Sequence, residues 1–134
     1  PSSRSQRFLY ACAQAYKNLC DREEGLLTAT ATLVNKVGDR RVLVESRRLG
    51  VDQETIRQEI SAISEGSPDV QKSPTFTEAT TLALDAATRA ASDLRSGPPT
   101  SATVEMEKEV MEILRGLVNV TTVVGSGTVV SGAE

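Results

Sequence analysis

Four arginines, Arg40, Arg41, Arg47 and Arg48, fall in two pairs seven residues apart, with Arg57 further along the same stretch. If this stretch is helical, that spacing stacks the pairs on adjacent turns of one face. Guanidinium groups offer planar forks of donors that match carboxylates and phosphates. Such a face would therefore dock an acidic partner or phosphate groups. The competing reading is a solvated face in which Asp39, Glu45 and Glu54 neutralise the arginines. Charge reversal separates the two, because only a docking face would lose binding while folding stayed intact.

The remaining chemical inventory is thin. Histidine is absent, which removes the usual general base and the commonest zinc ligand. Cys12 and Cys20, if they share a helix, lie roughly 12 Å apart along its axis. A disulfide needs Cα atoms within about 7 Å, so the two read as small buried hydrophobes in a reducing compartment. Acidic pairs such as Glu23-Glu24 fall in an expected loop, where solvated charge is the ordinary outcome. Gly125-Ser126-Gly127 precedes no helix and so makes no phosphate loop. These residues point to a protein without catalysis, cofactor or metal.

The elements that must position the arginines follow from composition and pattern. Aromatic residues make up only 3% of the 134, and alanine and threonine fill their place. Small side chains let helices approach closely, whereas sheets lean on aromatic and β-branched pairs. An all-α fold is expected, as a compact bundle of about six or more short helices. Ser5 to Cys20 carries one helical stripe, with Phe8, Cys12, Ala15 and Leu19 on one line and Leu9, Tyr16 and Cys20 on another. Asp21 to Gly25 reads as a polar break, and Leu26 to Val37 as a second helix closed by Gly38. Asp39 suits the cap of a third segment ending at Leu49, although Val42-Leu43-Val44 fits a short strand as well.

Gly50 then reads as the left-handed stop after Leu49, Val51 as a core residue and Asp52 as the next cap. Ile56, Ile60 and Ile63 form that helix's buried stripe, ended by Gly66-Ser67-Pro68. Thr75 and Glu78 make a capping-box pattern before an alanine-lined helix with Ala79, Leu82, Ala83, Ala86, Ala87, Ala90 and Leu94 inward. Gly97-Pro98-Pro99 breaks the chain again. A last helix from Ser101 or Thr103 turns Met106, Val110, Ile113, Leu114, Leu117 and Val118 inward, and Glu105, Glu107, Glu109 and Glu112 to solvent. The helical domain is thus expected over 1–118. The valine-rich tail 119–134 reads as disordered, as an edge strand, or as a segment that docks on a partner. Asn119-Val120-Thr121 matches a glycosylation sequon and is taken as coincidence.

LGVDQETIRQEI and SPTFTEATTLALDAATRAASDL together resemble the N-terminal domain of Clp/Hsp100 unfoldases, which holds two copies of a helical repeat. The resemblance places one copy at 7–63, opened by FLYACAQAYKNL and closed by LGVD at 49–52, and a second at 76–118. The first copy lacks the family's phenylalanine-threonine start and the second lacks the closing turn. The resemblance implies a non-catalytic module that docks substrates or adaptors beside a protease or unfoldase, with no ATPase motor in these residues.

Charge narrows the partners further. The chain carries −3 overall, positive in residues 1–60 and negative beyond them, which disfavours nonspecific nucleic-acid binding by the whole chain. No run of about eighteen apolar residues exists to span a membrane, and no signal-like stretch opens the chain, so an intracellular, cytoplasmic setting is expected. The leading expectation is a helical protein-interaction module of Clp-N type. The alternative is a self-assembling coat or scaffold subunit whose arginine cluster meets nucleic acid.

Overall fold

The computed structural model describes residues 2–36 and 38–126. They form five α-helices: α1 Ser2–Val34, α2 Arg40–Glu65, α3 Pro68–Lys72, α4 Pro74–Ser96 and α5 Ser101–Ser126. No strand occurs among the described residues, Val42-Leu43-Val44 included. The all-α expectation holds, but four long helices and one short turn replace six or more short ones. Val37 and the tail 127–134 lie outside the described residues, as do the side chains of Phe8 and Leu9.

One spacing governs the four long helices. Buried positions run 12, 16, 19, 23, 26, 30 and 33 on α1, and 42, 46, 49, 53, 56 and 60 on α2. They continue as 76, 80, 83, 87, 90 and 94 on α4, and 103, 107, 110, 114, 117 and 121 on α5. Alternating steps of four and three keep one seam facing inward, as in coiled coils and antiparallel bundles. The helices alternate in direction around the core. α1 packs most extensively on α5 and α2 on α4, while α1 and α2 make the loosest of the long seams. Tyr16, Leu19, Leu49, Ile60, Leu94 and Leu114 are sealed inside.

This seam overrides two of the expected breaks. Asp21 to Gly25 is helical because Glu23 and Leu26 continue the buried stripe of α1. Leu49 to Asp52 is likewise the middle of α2, so Gly50 is no helix stop. A Cβ at Gly50 would lie 2.9 Å from Arg95 Cγ and 3.3 Å from both the Ala91 carbonyl oxygen and Leu94 Cβ. Glycine is there because α4 passes against the α2 backbone. Val51, expected in the core, is 61% exposed. Asp52 faces solvent and pairs with Arg48 instead of capping a helix.

The other ends follow local chemistry. Asp39 caps α2 by accepting the Val42 N–H at 3.0 Å. Ser67 and Ser73 cap α3 and α4, each followed by a proline at the first helical position. Ser73 therefore takes the role expected of Thr75, since Pro74 has no N–H to leave unmet. Thr103 joins α5 to α4, accepting the Thr100 N–H and donating to Asp93. α5 continues past residue 118, so Asn119 to Ser126 is helix, extending a stripe that ends with buried Thr121.

The α2–α4 seam also carries a polar tie. The buried Ser46 hydroxyl lies 2.7 Å from the Leu94 carbonyl oxygen and 2.9 Å from that of Gly97, two acceptors at a helix end that have no intrahelical partner. Ser46→Ala is expected to lower the unfolding free energy by about 1–2 kcal/mol, read as a lower urea midpoint at unchanged slope.

Candidate functional site

Among the buried seam positions of α1, α2 and α5, three hold long polar side chains. Glu23, Gln53 and Glu107 are each 0% exposed, and Thr30 beside them is sealed as well. Gln53 Nε2 donates to Glu23 Oε1 at 2.6 Å, tying α2 to α1. The Thr30 hydroxyl lies 3.1 Å from Glu107 Oε2 and 3.0 Å from the Leu26 carbonyl oxygen, and its single hydrogen serves one of them at a time. By antiparallel register, Gly50 against Ala91 and Thr103 against Asp93, the level of Gln53 and Glu107 on α4 falls at the alanines. Ala86, Ala87 and Ala90 leave room there for longer side chains from the other three helices.

Burial dominates the electrostatics of this layer. Desolvation pushes the Glu23 carboxyl up to about 7, against a smaller downward pull from the Gln53 amide. The same cause, with repulsion from Glu23 added, pushes Glu107 up to about 8, opposed by Thr30. Both groups were expected in solvent, and the structure corrects that. Their residue type argued for the surface, but their spacing did not. Glu23 stands four residues after Leu19 and three before Leu26, and Glu107 stands four after Thr103 and three before Val110. Among the described residues no cluster of three or more histidine, cysteine or acidic side chains could hold a metal ion.

The arginines lie elsewhere. Arg40, Arg41, Arg47 and Arg48 occupy the exposed side of α2. Arg48 is engaged by Glu45, with its Nε at 3.1 Å, and by Asp52 at 3.5 Å. Arg57 is held at 2.6 Å by Glu54, three residues back on α2, and Arg95 of α4 approaches the same carboxylate at 3.7 Å. Arg40, Arg41 and Arg47 make no ion pair among the described residues. Hydrogen bonds from Arg48, Arg57 and Arg22 hold Glu45, Glu54 and Glu59 below the usual carboxylate range.

What the sequence did not suggest is the pattern formed with the valines. Arg40, Val44, Arg47 and Val51 repeat the four-three spacing on the side of α2 opposite its core stripe. Val44 is 57% exposed and Val51 61%. This outer stripe borders a groove of about 1160 Å³ between α1 and α2. Ala29, Thr32 and Leu33 line it from α1, Val42 and Val44 from α2, with Lys36, Arg40 and Arg41 among the polar residues. Two smaller hollows, about 320 and 230 Å³, follow the same α1–α2 seam toward Gly66.

Fold and surface together define a four-helix, up-down bundle with a buried carboxyl layer and a basic, partly apolar outer stripe. Comparison with family models, with curated proteins and with solved structures finds no match. Among the described residues no helix is long and apolar enough to cross a membrane.

Proposed function

We propose that this chain is a non-catalytic interaction module that docks an acidic amphipathic helix of a protein partner along the outer stripe of α2 and the adjoining groove. The observation behind this reading is the Arg40-Val44-Arg47-Val51 stripe. Two exposed valines seven residues apart, one heptad, match the apolar seam of another helix. Arginines that lack an internal carboxylate partner complement acidic residues flanking that seam. Asp39 in the groove is occupied with its cap, and Glu45 with Arg48, so the local charge offered outward is positive. A nucleic-acid backbone would satisfy the arginines but leave the valines without an apolar counterpart. The resemblance to unfoldase N-terminal domains would make the partner a substrate or adaptor segment.

A photo-crosslinking side chain at Val44 tests this, with one at Leu82, which lies half exposed on α4 and not inward as expected, as control. Crosslinks to a discrete protein are expected at Val44 and not at Leu82, and Arg40→Glu with Arg47→Glu should abolish them while the melting temperature stays put. Equal crosslinking at both positions, or none at Val44, would reject the docking face. A second copy offers related chemistry, since Glu105, Glu109 and Glu112 lie exposed on α5. A mass that rises with concentration in sedimentation, and falls back in the charge-reversed variant, would assign the partner to self-assembly.

A further inference from the structure

The buried layer is short of donors. Glu23 Oε2, Gln53 Oε1 and Glu107 Oε1 have no protein hydrogen-bond partner, and all three are acceptors. Within the layer the donated bonds are one Gln53 N–H to Glu23 and the Thr30 hydroxyl to Glu107 or Leu26. Buried polar groups without partners cost about 1–3 kcal/mol each. Two ionised carboxylates in the same layer would add uncompensated charge.

Among the described residues no cation stands by to compensate them. On α1, Arg22 is held by Glu59, and Glu24 pairs at the surface with Arg115 of α5. On α2, Arg48 is engaged by Glu45 and Asp52, and Arg57 by Glu54, which Arg95 of α4 also approaches. α4 presents alanines inward and keeps Arg89 on Asp85 at the surface. On α5, Lys108 is paired with Glu105. The other buried titratable groups of α1 include Cys20, whose thiol donates to the Met111 carbonyl, and Tyr16. A proton on each carboxyl removes the charge and turns an orphaned acceptor into a donor.

We infer that the Glu23–Gln53–Thr30–Glu107 layer is a proton-loaded latch on the α1–α2 seam, closed while both carboxyls are protonated and loosened when they ionise. Position gives the latch its consequence. Glu23 and Gln53 bridge α1 and α2, the loosest long seam and the one that bears the groove. The link to partner docking rests on the reading of that groove given above, whereas the latch itself does not.

Hydrogen exchange on the full chain between pH 5.5 and 8.5, corrected for intrinsic exchange rates, tests the latch. Peptides covering 19–33 of α1 and 46–60 of α2 should lose at least about tenfold in protection across that range, ahead of α4. Glu23→Gln alone should make the profile shallower, and Glu23→Gln with Glu107→Gln should flatten it. A wild-type profile already flat, or one that persists unchanged in the single Glu23→Gln variant, would overturn the latch. So would protection restored at pH 8.5 by millimolar Ca²⁺ or Mn²⁺, which would make the occupant a cation. The Val44 crosslink, repeated across the same pH range, separates the two ideas. A pH-dependent seam with a pH-independent crosslink keeps the latch and removes its control of docking. A missing crosslink removes the docking face and leaves the latch standing.

Discussion

At pH 8.5 the Glu107→Gln variant is expected to melt well above the wild type, and at pH 5 the two are expected to melt together. The unfolded chain releases the Glu107 proton near 4.5, whereas the folded chain holds it up to about 8 because burial, then repulsion from Glu23, disfavours the charge. The folded state therefore binds more protons in between. Its stabilisation from this group is complete below the unfolded value and fades as pH climbs through 8. Glu23 behaves alike, with its loss ending near 7. A tenfold difference in proton affinity between the folded and unfolded chain is worth about 1.4 kcal/mol. Wild type should thus lose on the order of 3 kcal/mol through Glu23 and somewhat more through Glu107 between pH 5 and 8.5.

Glutamine keeps the shape of a protonated glutamate, carries no charge at any of these pH values, and supplies an N–H to a layer rich in acceptors. A gain of about 3 kcal/mol at pH 8.5 corresponds to roughly 10 °C in a chain of this size. On the acid side the counterweight is weak. Glu45, Glu54 and Glu59 are held below their ordinary range by neighbouring arginines. Stability from those pairs goes only as pH falls below about 4.5, and they sit where solvent screens them. Greatest stability near pH 5 is the expected signature. Two melting curves that track each other from pH 5 to 8.5 would show that Glu107 holds its proton no more tightly in the bundle than in the unfolded chain.

How much of this was legible in the sequence depends on how far each signal reaches. Asp39, Gly66-Ser67-Pro68 and Gly97-Pro98-Pro99 end or start helices through their own backbone chemistry, and they do so in the structure. Asp21 to Gly25 and Leu49 to Asp52 resemble breaks locally, but a glycine inside a helix costs only about 1 kcal/mol relative to alanine. Tertiary packing of a continuous stripe outweighs that. The same applies to residues 119–126, the start of the valine- and threonine-rich tail, which are helix in α5. The exposure of Arg40, Arg41, Arg47 and Arg48 on α2 could be read from spacing. The pairing of Arg57 with Glu54, three residues back on the same helix, could be read the same way; the approach of Arg95 to that carboxylate could not, because it depends on where α4 lies. Glu23, Gln53 and Glu107 were hidden by residue type, though each keeps its place in the four-three rhythm.

Gly50 is where the local and tertiary readings differ most, and substitution there should have the second large effect. If Gly50 were a helix stop, a larger residue would mainly lose turn geometry. Inside α2 the outcome is set by α4. Gly50→Ala gains helix propensity of about 1 kcal/mol but puts a carbon 2.9 Å from Arg95 Cγ and 3.3 Å from the Ala91 carbonyl. Arg95 is half exposed and can swing aside; the Ala91 backbone cannot. Alanine should therefore come out close to neutral. Gly50→Leu adds three further carbons against that backbone and should cost about 3 kcal/mol through overpacking, also prising Ser46 from the end of α4. Arg95→Ala should recover part of the alanine variant's strain and little of leucine's, a non-additivity that a double-mutant cycle reads directly. A Gly50→Leu protein as stable as the wild type would mean that α2 and α4 do not approach closely there, and the LGVD stretch would again need a turn to explain its glycine.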